Sequence, residues 1–350
     1  MARAIRFAVV GLGMGKGRSE VCRGTPGAEL AAVCDLSEER GREAERDWGV
    51  PSTTSYDELL ARDDVDVVGL WTPSGSHAAM AVQALRAGKH VCMTKPMDIN
   101  TAACDAAIHE AESRGLLLAV DFEQRYRPWN QQVKAAIDAG AIGDLLLADL
   151  RMKWYRAQSY YDSGYPQSWR SRLDTEGGSL ANQAVHFLDL MLWWVGEPER
   201  VAGRRGTLSH DIQTEDGAAA VIQFKNGVVG SVLTTTCSFP HLGSELTLSG
   251  RWGTLTWNDS DGVTDFRHLP AERRSGSDAF RSETGPTAEP GDLDACPQPP
   301  AVPENIFADM VSALQRGTAL QCDGREARRA VALFEAVYAA SDRGAWVEVS

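Results

Sequence analysis

The feature that most restricts the fold is a glycine turn set between an apolar run and a helical segment. Ala8-Val9-Val10-Gly11-Leu12-Gly13-Met14-Gly15 closes the strand-like run Arg6 to Val10, and a strand-turn-helix unit is the element that uses glycines in this place. Backbone N–H groups around Gly11, Gly13 and Met14, with the helix N-terminus behind them, form a cradle for a pyrophosphate. A strict G-x-G-x-x-G needs a small residue at Lys16, so either Gly15 or Gly17 must permit the close helix packing. Asp35 ends the second candidate strand, where a carboxylate accepts from ribose hydroxyls and repels a 2′-phosphate, which favours NAD over NADP. Two alternatives stay open: Asp35 caps the next helix, or Ser37 and Arg40 receive a phosphate.

The rest of the first third repeats the same alternation. Strands are expected at Leu30 to Cys34, Val65 to Leu70, His90 to Met93 and Leu116 to Val120, with a capping box at Ser55-Tyr56-Asp57-Glu58 and helix stops at Gly88 and Gly115. This is the pattern of a doubly wound parallel α/β sheet. From Asp121 the character changes to a block rich in Trp, Tyr and Arg, followed by one helix over Leu180 to Val195. The runs Ala218 to Phe224, Val228 to Thr235, Glu245 to Ser249 and Gly253 to Trp257 then read as antiparallel strands, with a hairpin at Lys225-Asn226-Gly227. An NAD-binding domain over residues 1–122 and an α+β domain over 123–350 are expected. Two helices, Glu304 to Gln315 and Arg325 to Ala340, close the chain. Leu269 to Pro303 is Pro-, Gly-, Ser- and acid-rich and is either a surface excursion or a lid.

Composition excludes several functions. A formal net charge of −13 repels a phosphate backbone, so nucleic acid is not an expected partner. The seven cysteines are scattered without a C-x-x-C pair, so neither a disulfide framework nor a metal site is indicated. No stretch approaches the roughly 20 apolar residues of a membrane span, and the first residues run directly into a strand; a soluble cytoplasmic protein is expected.

Three further segments carry a family resemblance. Trp71-Thr72-Pro73-Ser74-Gly75-Ser76-His77, Ala87-Gly88-Lys89-His90-Val91-Cys92-Met93-Thr94-Lys95-Pro96 and Glu176-Gly177-Gly178-Ser179-Leu180-Ala181-Asn182-Gln183-Ala184-Val185-His186 resemble the T-P-x-x-x-H, A-G-K-H-V…E-K-P and G-G-x-L-x-D-x-x-x-H motifs of the glucose-fructose oxidoreductase/inositol dehydrogenase (Gfo/Idh/MocA) family. Thr94 stands where glutamate is usual and Asn182 where aspartate is usual. The resemblance implies a Rossmann domain, a C-terminal domain on a large, mainly antiparallel open sheet, and a homo-oligomer, dimer or tetramer, formed through that sheet. It also implies that Thr72, Pro73, His77, Thr94 and Lys95 join Gly11, Gly13, Met14, Asp35 and Arg40 at the cofactor.

Oxidising a secondary alcohol needs a group to take the hydroxyl proton, and Lys95 and His186 are the candidates, with Asn182 as a hydrogen-bonding partner. Lys95 precedes a proline, so it should project from the carboxyl end of a strand. On one helix, Asn182, His186 and Asp189 share a face opposite Leu180, Leu188 and Leu192. Asp189 either orients the imidazole or caps a local network. Tyr155, Arg156, Trp169 and Arg170 offer aromatic faces and forked donors to a carbohydrate, and Arg125 belongs to a domain-crossing segment similar to the family's. The expected activity is hydride exchange between NAD and a ring hydroxyl or ketone of a sugar, glycoside or cyclitol. A redox-neutral, NAD-retaining glycoside-cleaving enzyme of the same fold is the alternative, with Glu123, Asp174, Glu176 and Tyr161 as available acids; a non-catalytic NAD sensor is the third reading.

Overall fold

The structure is a computed structural model and describes residues 3–274 and 287–350. The chain divides into two compact units: Met1–Tyr126, Ser159–Gly177 and Val302–Ala332 form one, and Arg127–Gln158, Gly178–Ala301 and Leu333–Ser350 the other. Two later segments, Ser159–Gly177 and Val302–Ala332, thus return to the first unit. The later return has a plain cause. Helix Ile306–Arg316 turns Ile306, Phe307, Met310 and Val311 into the same buried cluster as Phe7, Val9 and Val33, with Phe307 edge-on to Phe7 and stacked on Trp71.

The first unit is built on a parallel sheet of β1 (Ile5–Val10), β2 (Ala28–Cys34), β3 (Ser52–Thr53), β4 (Val67–Leu70), β5 (His90–Thr94) and β6 (Leu118–Asp121), in the order β3-β2-β1-β4-β5-β6. The order reverses between β1 and β4, the switch point at whose carboxyl ends such sheets bind ligands. The five expected strands are present, because β4 and β6 are buried on both faces and read as unbroken apolar runs. Helix boundaries also follow local chemistry. The Ser55 hydroxyl accepts the Glu58 N–H at 3.3 Å, and Gly115 ends helix Thr101–Arg114 with a φ of 64°.

The second unit carries a nine-stranded sheet: β7 (Leu145–Lys153), β8 (Pro198–Gly206), β9 (Gly217–Phe224), β10 (Val229–Thr235), β11 (Gly243–Gly250), β12 (Gly253–Asn258), β13 (Gly262–His268), β14 (Glu289–Pro290) and β15 (Val347–Glu348). Its order is β14-β13-β12-β11-β7-β10-β9-β8-β15. The Lys225-Asn226-Gly227 hairpin is present, but the sheet is not wholly antiparallel, since β10 pairs with β7 in parallel. Ala148, Leu150 and Met152 of β7 are buried while Leu147, Asp149 and Arg151 face out, so one face of the sheet is open. Leu147, Val221, Val229 and Leu233 place apolar side chains on that open face.

Within Leu269 to Pro303, residues 275–286 lie outside the described residues. The flank beyond them is tied down: Glu289 and Pro290 pair with β13, and the Gln132 side-chain amide donates to the Leu293 carbonyl at 2.6 Å.

Candidate active site

The glycine turn is shaped by what stands behind it. Gly11 has a φ of 87°, and a Cβ there would lie 2.5 Å from the Trp71 carbonyl oxygen, so only glycine fits. A Cβ on Gly15 would lie 2.9 Å from Val9 Cγ1, whereas one on Gly17 would meet nothing within 4 Å. Gly15 is therefore the close-packing glycine. Helix Gly15–Gly24 starts without a side-chain cap, leaving its first turn to an incoming acceptor.

Asp35 is buried at the end of β2 and accepts the Leu12 N–H at 2.6 Å and the Ser37 N–H at 2.8 Å. It fastens the glycine turn, and the helix cap belongs instead to Ser37, whose hydroxyl accepts from Arg40. Arg40 is itself drawn to Asp35, at 3.6 Å. The tight glycine cradle, the uncapped helix and the acidic residue at the end of β2 fit a dinucleotide, with Gly11, Gly13, Met14 and Asp35 as the residues that would hold it.

The loop after β4 carries Thr72, Pro73 and Ser74, and the Ser76 hydroxyl donates to Pro73 O at 2.6 Å. His77 does not present its ring to a ligand. It is wholly buried, with its ring nitrogens 2.8 Å from Pro96 O and 2.7 Å from Thr72 O, and so ties the loops after β4 and β5 together. Burial lowers its pKa against the pull of those two carbonyls, and the neighbouring Lys95 charge lowers it further. Thr94 is buried as the last residue of β5, and half-buried Lys95 follows it.

Glu176 belongs to the segment Ser159–Gly177, in the same unit as Lys95. It is 2% exposed, its Oε1 accepts the Gly177 N–H at 3.1 Å, and its Oε2 is buried without a hydrogen-bond partner among the described residues. Burial pushes this carboxyl up to about 7, against the opposing influence of Ser74, Lys95, the Gly177 N–H and Arg170. In the same segment the Arg170 guanidinium lies over the Trp169 ring at 4.3 Å and the Tyr160 ring at 4.9 Å. Arg125 is not available to a carbohydrate. It is buried, donates to Gln321 O at 3.0 Å and pairs with Glu326 at 3.2 Å.

In the second unit the expected single helix over Leu180 to Val195 is broken. Ser179–Gln183 forms a π-helical turn, and the α-helix begins at Val185. The helix is buried nearly all round, including Asp189 and Leu190, so its apolar residues do not define one stripe. From Glu176 to Leu192 only Asn182 and His186 keep partial exposure. Tyr155 is exposed with its ring edge against Phe239, and Arg156 lies over the Trp154 ring at 4.9 Å.

Sequence reasoning did not find what holds the π-turn. Glu215 O accepts the Ser179 N–H at 2.8 Å, its carboxylate accepts the Leu180 N–H at 2.7 Å and the Tyr338 hydroxyl at 2.9 Å. The available signal was Thr214-Glu215-Asp216, an acid pair opening an apolar strand. Burial pushes Glu215 up to about 7 from 4.5. Since the folded state favours the protonated form, its contribution to stability is complete below 4.5 and is lost as pH rises through about 7. Glu215→Gln is expected to flatten this part of the dependence, read as Tm against pH.

Among the described residues one group, His210, Asp216 and Cys237, brings three possible metal-ligand atoms within 4.8 Å of one another. The Asp216 carboxylate already accepts the Leu208, Ser209 and His210 N–H groups, which gives the cluster a loop-closing role. No helix among the described residues is long and apolar enough to cross a membrane.

Comparison with known proteins agrees with this layout. Residues 5–122 match the oxidoreductase family with an NAD-binding Rossmann fold, and residues 130–256 match the GFO/IDH/MocA C-terminal domain. The chain is 27% identical to D-apiose dehydrogenase of Paraburkholderia graminis over 99% of this chain and 90% of that protein. It is 27% identical to scyllo-inositol 2-dehydrogenase (NAD(+)) of Bacillus subtilis over 66% of this chain and 67% of that one. Among solved structures, the WlbA dehydrogenase from Bordetella pertussis in complex with NADH and UDP-GlcNAcA superposes with a TM-score of 0.86 at 27% identity, covering 99% of both chains.

Proposed function

The chain belongs to the Gfo/Idh/MocA family of NAD-dependent oxidoreductases, and we propose that it moves a hydride between NAD and a secondary ring hydroxyl, or the matching ketone, of a sugar, glycoside or cyclitol. The observation that carries this reading is Lys95, half-buried directly after Thr94 at the carboxyl end of β5, the end at which such sheets bind ligands. When bound, NAD supplies the hydride acceptor. The chain supplies the rest: Lys95 polarises the hydroxyl and takes its proton, His186 exchanges a proton near neutral pH, and Asn182 donates to or accepts from a neighbouring hydroxyl. Asn182 has no ionisable group, so the base chemistry open to an aspartate at that position falls to Lys95 and His186.

Tyr155, Arg156, Trp169 and Arg170 are candidate carbohydrate contacts, because a stacked guanidinium and an aromatic face suit hydroxylated rings and anionic sugar groups. The redox-neutral alternative draws support from Glu176, an acid held near neutrality in the same neighbourhood. The apolar open face around Leu147, Val221, Val229 and Leu233 supports a homo-oligomer through the nine-stranded sheet.

A panel of sugars, cyclitols and aryl glycosides, followed for both NADH and aglycone, separates the readings. NADH rising in proportion to substrate supports the dehydrogenase. Aglycone release with no net NADH supports the redox-neutral enzyme, and neither signal across the panel rejects both.

A further inference from the structure

The connections at one end of the nine-stranded sheet bring together three side chains with no part in the proposed hydride chemistry. β7 and β10 run parallel and end here, while β8 ends and β9 begins, so the segments after Lys153, Gly206 and Thr235 meet. Backbone bonds fasten them. The Arg156 N–H donates to Thr236 O at 2.8 Å, the Thr236 N–H donates to Asp216 O at 2.9 Å, and Tyr155 bridges to Cys237. Into this corner His210, Asp216 and Cys237 bring a ring nitrogen, a carboxylate oxygen and a thiol sulfur, all within 4.8 Å of one another. They stand 6 and 21 positions apart along the chain, so the strand order assembles them and not a ligand-spaced motif.

The imidazole sets the chemistry of the corner. Arg156 O lies 2.8 Å from Nε2 and can only accept, so Nε2 carries a proton and donates. Nδ1 then faces the Asp216 carboxylate at 3.0 Å and Cys237 Sγ at 3.8 Å. A ring lone pair and a carboxylate at that distance repel unless a positive charge joins them, either a second ring proton or a cation. Three features favour the cation. The donors are N, O and S, the set that zinc takes, and metal–ligand distances of about 2.0–2.3 Å put tetrahedral ligands roughly 3.3–3.6 Å apart, close to the 3.0 and 3.8 Å seen. Each ligand also has the outer support that metal ligands carry: the ring rests on a backbone carbonyl, and the carboxylate accepts the Leu208, Ser209 and His210 N–H groups, which leaves one of its about four lone-pair sites. Asp216 is wholly buried while His210 and Cys237 keep partial exposure, which gives an ion a way in.

We propose that His210 Nδ1, the Asp216 carboxylate and Cys237 Sγ bind a divalent cation of the zinc type, with water as the fourth ligand. Binding releases the Cys237 thiol proton to solvent and leaves the ring protonated at Nε2 alone; no electron is transferred. The cation pins the loop after β8 and the segment after β10 against Tyr155 and Arg156. It is a staple of the second unit, and its presence does not depend on the hydride chemistry.

The test uses the untagged full chain, stripped with a chelator and titrated with Co²⁺ alone or Zn²⁺ alone, without substrate. Co²⁺ should bind stoichiometrically and produce the thiolate-to-cobalt charge-transfer absorption, and Zn²⁺ should displace it and raise Tm. Cys237→Ser should abolish both the absorption and the rise in Tm. His210→Gln should weaken Co²⁺ binding by about 10- to 100-fold. Cys296→Ser removes the other partly exposed thiol and should change neither readout. No charge-transfer absorption in the wild type, an absorption that survives Cys237→Ser, or an affinity indifferent to His210→Gln would overturn the proposal. If His210→Gln does not fold, the wild-type, Cys237→Ser and Cys296→Ser titrations decide it. Since no turnover is read, failure of the metal site and failure of the dehydrogenase reading are distinguishable.

Discussion

Lys95→Ala is expected to lower kcat by about 10³-fold, the scale of losing a positioned proton-transfer group, while NADH affinity stays near that of the wild type. The position is built for one side chain. Thr94, the residue before it, pairs with Asp121 across β5 and β6, and Pro96 behind it is held through its carbonyl by His77. Removing the side chain beyond Cβ leaves these backbone supports intact, so the loss should fall on chemistry and not on folding. Lys95→Arg sharpens the test. Arginine preserves the charge but does not release a proton at any working pH, so a proton-transfer role predicts an inactive variant and a purely electrostatic role an active one. The measurements are steady-state kcat and NADH fluorescence titration on the same samples. Wild-type turnover by Lys95→Ala would remove the residue from the mechanism.

Gly178→Ala is expected to destabilise the protein by about 3 kcal/mol or more, at or beyond the upper end for overpacking a core. A Cβ at this position would lie 1.9 Å from the Glu215 carbonyl oxygen and 2.0 Å from its Oε2. The first of these is backbone and cannot swing away. The neighbouring bonds from Ser179 and Leu180 to Glu215 would stretch with it, and the π-turn that carries Asn182 would shift. A fall in kcat should therefore accompany the fall in stability measured by denaturant unfolding. Gly17→Ala is the internal contrast. It lies in helix Gly15–Gly24, has open space around its Cβ, and should gain roughly 0.5–1 kcal/mol from helix propensity. Equal effects at the two glycines would contradict the packing argument.

These two residues also mark what was legible in the chain. The first sheet could be read because its strands are buried on both faces and its turns use glycines and caps that act within a few residues. Gly11 and Asp35 directly follow β1 and β2, so reading the strands located them, while Lys95, directly after β5, was singled out by the family resemblance. Strands β7 and β8 were hidden for the opposite reason: half of β7 faces outward with Asp149 and Arg151, and β8 carries three arginines between Pro198 and Gly206.

Long-range partners were also beyond reach. Nothing local to Arg125 announces that Glu326 will pair with it, and nothing local to His77 announces that its ring joins two loops. The helical spacing of Asn182 and His186 was read on an unbroken α-helix, whereas the tertiary clamp from Glu215 accompanies a π-turn. The pair nevertheless remains the partly exposed part of that segment. The unbroken helical geometry assumed for the pair did not hold.

The central claim is hydride exchange with a carbohydrate ring carbon, and isotope transfer tests it most directly. The enzyme with NAD bound is mixed in a single turnover with the responding carbohydrate, deuterated at the ring carbon bearing the reactive hydroxyl, and the nucleotide is recovered and weighed. Deuterium on the reduced nicotinamide, formed more slowly than hydrogen from unlabelled substrate, is the result expected, for a dehydrogenase and for a transient oxidation alike. Product formed while the nucleotide stays unlabelled and oxidised throughout would contradict the account.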